Sequence, residues 1–206
     1  SLSAVLNEAD NVAYTTEGDG RFKPGNQDNA IFLPNDGTSV DFIAYYPQKE
    51  ISGFMYKVDI TNQSSLKEID LLYSDNLKSL RSGQTLNSLE FNHQLAMLEL
   101  NISIGSGSQI ADLTGLSVSI GGIYTQADFD ITNGNFTPDN ESIGTVICPT
   151  EGDGNNLTST ILLIPEDGAS DREVIFLHPD GQTFKWSIPA QTIFEKGNKY
   201  SYNITL

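Results

Sequence analysis

The chain has 206 residues, enough for one large or two small domains at about 100 to 150 residues each. Eleven Lys and Arg against 27 Asp and Glu give a formal net charge of -16, which repels nucleic acid over the whole surface and offers no basic cluster for anionic lipid. A single cysteine, Cys148, excludes an internal disulfide framework and any multi-cysteine metal cluster.

Taken in chain order, the opening SLSAVLNEAD has neither a basic n-region nor an apolar h-region and does not read as an export signal. Strands are predicted at SVDFIAYY (39–46), ended by Pro47, and at FMYKVDI (54–60), where Phe54, Tyr56, Val58 and Ile60 alternate with Met55, Lys57 and Asp59. Two helical candidates follow. SSLKEIDLLYSDNLKSL (64–80) has Leu66 and Ile69 at helical spacing, although DLLYS within it also fits a strand. FNHQLAMLEL (91–100) places Phe91, Leu95, Leu98 and Ile102 at steps of 4, 3 and 4, while Leu98, Leu100, Ile102 and Ile104 alternate, so a helical turn feeding a strand is expected.

Further strands are predicted at 116–120, 127–132, 159–165, 173–179, 183–189 and 199–206, and Cys148 alternates with apolar neighbours as a buried strand residue does. Asp-Gly pairs at 19/20, 36/37, 153/154, 167/168 and 180/181, with Asn133-Gly134, supply tight turns. The pattern is that of an all-β sandwich. IFLPNDGTSVDFIAYYP (31–47) and LLIPEDGASDREVIFLHP (162–179) echo each other, one in each half, which suggests two domains of like topology joined near the linker-like IGSGSQ (104–109). No run approaches 18 apolar residues, the minimum for a membrane-spanning helix.

Chemistry is sparse. There is no phosphate loop, dinucleotide fingerprint, H-E-x-x-H or G-x-S-x-G. His93 and His178 have no second histidine at ligand spacing, and His93 is expected to sit at a turn and bond backbone groups left unpaired there. The acidic loops EGDGRFKPGNQDN (17–29) and EGDGNN (151–156) raise calcium as an option but lack EF-hand spacing. Tyr45, Tyr46, Tyr200, Tyr202 and Trp186 could stack on sugars, yet strand spacing reads them as packing. Paired carboxylates of a hydrolase leave no local signature, so that class stays open.

Five stretches in order, VDFIAYYP (40–47), IDLLYS (69–74), LEFNHQLAMLELNI (89–102), ADFDITNGNF (127–136) and IPAQTIFEKGNKYSYNITL (188–206), resemble the fimbrillin-like proteins of Bacteroidetes. The resemblance implies two tandem transthyretin-like β-sandwich domains, 1–104 and 105–206, the first lacking its opening strands. It also implies a lipoprotein exported to the bacterial outer membrane surface or fimbrium, where relatives form pili or act in adhesion. Assembly would proceed by strand donation, an extended segment of one subunit filling the groove left when another loses a strand. Implied partners are other pilus subunits or host and bacterial surface ligands, with membrane contact only through an N-terminal lipid anchor outside this chain.

The reading is a non-catalytic fimbrial subunit or accessory adhesin, with no catalytic, cofactor-binding or metal-binding residue and no cofactor. A carbohydrate- or calcium-binding adhesin is the alternative, and a carboxylate hydrolase a third.

Overall fold

The computed structural model describes residues 5–6, 9–84, 88–165 and 172–206. A small hairpin, β1 (Tyr14–Thr16) with β2 (Phe22–Pro24), precedes β3 (Val40–Tyr46) and β4 (Met55–Asp59). The alternation in β4 is realised: Tyr56 and Val58 are buried while Met55, Lys57 and Asp59 face water, and Ile60 just beyond is fully buried. The predicted helix over 64–80 shrinks to one turn, α1 (Leu66–Ile69), and the rest is strand β5 (Leu72–Leu80). Tertiary pairing decides this: β5 is laddered along its length with β3 and, at Leu72 and Tyr73, also with β6 (Asn92–His93).

That same pairing replaces the helical turn expected at 91–95. His93 stands opposite Leu72, and the Gln94 amide donates to the Leu71 carbonyl at 2.8 Å, so the backbone is extended there. The following strand, β7 (Ala96–Ser103), is as predicted, with Ala96, Leu98, Leu100 and Ile102 buried on one face. Each fully buried leucine contributes roughly 1.5–3 kcal/mol.

The second half supplies β8 (Ser117–Tyr124), β9 (Gln126–Asp130), β10 (Asn135–Pro138), β11 (Ile143–Cys148), β12 (Thr150–Gly152), β13 (Asn156–Leu163), β14 (Glu173–Leu177), β15 (Thr183–Ser187) and β16 (Lys199–Thr205). β10 and β12 are not among the expected strands, and β11 is expected only through the strand-like alternation around Cys148, which is buried with Val146 as that alternation requires. The Asp167-Gly168 turn of the internal echo lies outside the described residues.

Four larger sheets result, ordered β3-β5-β6, β10-β9-β4, β11-β8-β14-β15 and β12-β13-β7-β16. Ring contacts of Tyr45 with Tyr56 (5.5 Å) and Tyr73 with Phe129 (5.2 Å) join the first two. Trp186 against Tyr202 (4.7 Å) closes the last two at one side. A single apolar cluster runs through all of them, from Tyr56 and Leu71 to Phe176 and Phe194.

The ladders cross the expected division at 104/105. β7 pairs antiparallel with β13 and parallel with β16, and β4 pairs with β9. Residues 96–103 thus belong to a sheet made otherwise of C-terminal strands. The flexible look of IGSGSQ misleads because Gly105 is tied down: its amide donates to the Leu206 carbonyl at 2.8 Å. Two corners bend the chain between sheets. Thr125 links β8 to β9, its carbonyl accepting from the Ile60 amide, and Pro149 links β11 to β12, its carbonyl accepting from the Ser159 hydroxyl.

Candidate functional site: turns, histidines and open strand edges

Both histidines serve loops. His93 Nδ1 lies 3.0 and 2.9 Å from the two carboxylate oxygens of Asp70, just after α1, and not against the unpaired backbone groups expected for it. Its side chain is 58% exposed, so the pair is a solvated one. His93→Ala is expected to change unfolding free energy by no more than about 1 kcal/mol in urea titrations, since exposed ion pairs give about 0–1 kcal/mol.

His178 ends β14. Its Nδ1 lies 2.8 Å from Asp180 and its Nε2 lies 3.0 Å from the Asp112 carbonyl, so the protonated ring donates from both nitrogens and ties the 110–116 loop to the turn before β15. The Asp180 carboxylate, first, then the Asp112 carbonyl and both acidic charges, raise its pKa above the ordinary 6.5.

The aspartates of the turns are used by the backbone. Asp36, Asp112 and Asp180 each accept from the amide two residues on, and Asp153 accepts from Asn155 and Asn156. Asp130 accepts from the Thr132 amide and hydroxyl and from the Asn133 side chain. These bonds hold the five pKa values below the ordinary 3.8, with the amides the leading cause for the first four and the Thr132 hydroxyl for Asp130. In the two acidic loops that suggested calcium, Asp19 accepts from the Arg21 amide and Asp153 from those of Asn155 and Asn156, so turn closure accounts for these aspartates. Among the described residues no group of three or more His, Cys, Asp or Glu is assembled as a cation would require.

A pH profile follows. The depressed carboxylates contribute stability that is present above 3.8 and lost as pH falls through their lowered folded values. His178 contributes stability that is full below 6.5 and lost as pH rises through its raised folded value. The melting temperature is expected to plateau between these limits, to fall on the acid side, and to fall more modestly on the neutral side. In His178→Gln the neutral-side decline should vanish, as scanning calorimetry across pH would show.

Burial pushes the Cys148 thiol up to about 12, which leaves it a packing group without thiolate chemistry near neutrality. Trp186 and Tyr202 pack tilted against each other, and Tyr200 packs edge-on against Phe194 at 5.0 Å, so these aromatics fill the sandwich. An open cavity of about 330 Å³ is lined by Leu6, Pro34, Asn35, Asp36 and Thr38. Its one carboxylate, Asp36, is already bound to Thr38.

What the strands leave open are edges. β3 bonds β5 on one side, and among the described residues no strand pairs with its other side. Phe42, Ile43, Ala44 and Tyr45 along it are only half-buried. Near its end the Tyr45 hydroxyl donates to Asn11 Oδ1 at 2.6 Å, and Asn11 donates to the Lys49 carbonyl at 2.8 Å. Burial and the charge of Asp10 raise the Tyr45 phenol to about 12, so it stays a donor. β16 is also an edge; it presents Lys199, Ser201 and Asn203 outward, against Glu99 and Asn101 of β7.

One residue sequence reasoning passed over is Gln63. It is almost wholly buried, and its amide donates to the carbonyls of Ile60 (2.9 Å) and Leu162 (3.0 Å) and accepts from the Leu162 amide (3.0 Å). β12 pairs with β13 only as far as Ser159, so at Leu162 the side chain of Gln63 takes the place of a missing neighbouring strand. Gln in the loop NQSS carries no signal of this, because two of the three groups it satisfies, the amide and carbonyl of Leu162, lie 99 residues away.

Two pairs of facing sheets with open edges define an all-β sandwich protein. The chain belongs to the fimbrillin-like family, which it matches over residues 3–206. It is 30% identical over 185 residues, 85% of its length, to Fim1C of Bacteroides uniformis, a provisionally assigned fimbrium subunit, and spans 60% of that protein. It also resembles the crystal structure of a Bacteroides uniformis protein provisionally assigned to cell adhesion, with a TM-score of 0.74 and 28% identity, over 90% of this chain and 74% of that one.

Proposed function

We propose that this chain is a non-catalytic part of a cell-surface fimbrium, a subunit or accessory adhesin, whose partners are other subunits of its family or surface ligands. Membership of the fimbrillin-like family is the observation that carries this. The open, half-buried edge of β3 supports assembly by strand donation: a donated strand would supply partners for its free amides and carbonyls and cover Phe42, Ile43 and Tyr45. Two tandem transthyretin-like units belong to the same reading, β3-β5-β6 facing β10-β9-β4 and β11-β8-β14-β15 facing β12-β13-β7-β16. Surface display on the outer membrane through a lipid anchor is the corresponding location.

The test is expression of the full-length natural protein, followed by proteolytic trimming. Filaments in the electron microscope and denaturation-resistant ladders on gels are expected. Monomers under every trimming condition would reject strand-donated polymerisation.

A further inference from the structure

Edge strands invite unwanted pairing, and proteins blunt them with charge, proline, bulges or shortness. The other edges here follow that rule. β10 ends in Pro138; β4 carries Lys57, paired with Asp128; β15 carries Lys185 and β16 Lys199; β3 has two irregularities in its ladder and Asp41. β12 is three residues long and includes Glu151.

β11 differs. Its residues, Ile-Gly-Thr-Val-Ile-Cys, include neither a charge nor a proline, and its one bulge lies near the start, between Gly144 and Thr145. It pairs with β8 alone, and beyond that ladder no backbone–backbone bond reaches Ile143–Cys148 among the described residues. Ile143 and Ile147 stand 56% and 72% exposed on its outer face. Ile143 stands opposite Tyr124 of β8 and Ile147 opposite the small, uncharged Ser119, with Ile175 of β14 next across the sheet. The outer face of the opposing sheet is polar by contrast, with Glu99, Asn101, Ser201 and Asn203.

Charge says what could pair there. Acids flank β11 at both ends, Asp139 and Glu141 before it and Glu151 and Asp153 after it. Over residues 121–180 the sequence holds eleven acids against one arginine, the buried Arg172, and His178, which is bound to Asp180. A second copy laid against this edge would bring the same acidic surroundings, Asp139 and Glu141 in the turn before β11 and Glu151 and Asp153 past the corner at Pro149, up to their own like, so self-pairing is disfavoured.

We propose that the free edge of β11 is a strand-addition site for an extended segment of another polypeptide, uncharged and β-branched in its middle and basic at both flanks. Main-chain bonds to the unpaired edge would hold it, Ile143 and Ile147 would receive alternate side chains, and the flanking acids would fix its ends. This edge is distinct from that of β3, and the inference does not rest on the assembly reading above.

The probe is a labelled peptide, KKVTVTVKK, titrated by fluorescence polarisation against the whole chain, with EEVTVTVEE and a version N-methylated at alternate residues as comparisons. Saturable binding of the basic-flanked peptide is expected, weaker by about tenfold or more for the other two. Ile147→Lys should cost about tenfold or more while leaving the melting temperature unchanged, because the side chain is already in water. Glu141→Lys combined with Glu151→Lys should reverse the preference between the basic and acidic peptides. The proposal is overturned by absence of saturable binding, by equal binding to Ile147→Lys, by equal binding of the N-methylated peptide, or by a dimer of the chain in sedimentation that Ile147→Lys abolishes.

Discussion

Gln63→Ala is expected to lower the unfolding free energy by about 3–5 kcal/mol. The substitution strands three buried backbone groups, the Leu162 amide and carbonyl and the Ile60 carbonyl, and each unsatisfied buried group costs about 1–3 kcal/mol before relaxation. Gln63→Glu should do comparable damage, since a carboxylate cannot donate to the two carbonyls and would be buried among them. Urea unfolding monitored by far-ultraviolet circular dichroism measures both. A loss below about 1 kcal/mol for the alanine variant would show that water replaces the amide without cost.

Phe129→Ala should be as damaging, by about 3–5 kcal/mol, the usual cost of truncating a fully buried phenylalanine. The ring lies edge-on to Tyr73 at 5.2 Å and tilted against Phe136 at 4.9 Å, so it binds β9 both to its own hairpin partner and to β5 of the facing sheet. Tyr73→Phe keeps the ring and loses only the bond from its hydroxyl to the Ile131 carbonyl at 2.7 Å, an expected loss of about 1 kcal/mol. A double-mutant cycle on Tyr73 and Phe129 should return a coupling of about 0.5–1.5 kcal/mol. Zero coupling would mean the ring contact adds nothing beyond burial.

Much of the fold was legible because alternation with period two survives wherever one strand face is buried. β4, β7, β14 and β16 were placed within a residue or two on that basis. β5 was ambiguous because its apolar positions suit either period; the choice was made by β3 and β6 on its flanks, which no local window contains. β10 and β12 are short, and β11 exposes Ile143 and Ile147 where a half-buried strand would carry polar groups, so its pattern does not separate core from surface.

The roles of the polar residues were less legible than the strands. Among the described residues the Asp-Gly pairs at 19/20, 36/37, 153/154 and 180/181 fall in turns, and the structure adds that their aspartates accept amides two residues on. His93 was read as structural, but its partner proved to be Asp70, 23 residues away, and not the local backbone. Gln63 gave no sign at all. Such residues act on groups brought near only by the tertiary fold, and sequence spacing holds no record of that proximity.

The corner at Thr125 has a thermodynamic consequence. β8 and β9 form nearly one continuous run of chain, the first half pairing with β11 and β14 and the second with β10 and β4. Pulling either pair of sheets apart would therefore fray a strand that the other depends on, and Gln63 adds a second tether between them. The chain is thus expected to melt as one cooperative unit, with calorimetric and van't Hoff enthalpies in agreement, despite the two-part layout of its sheets.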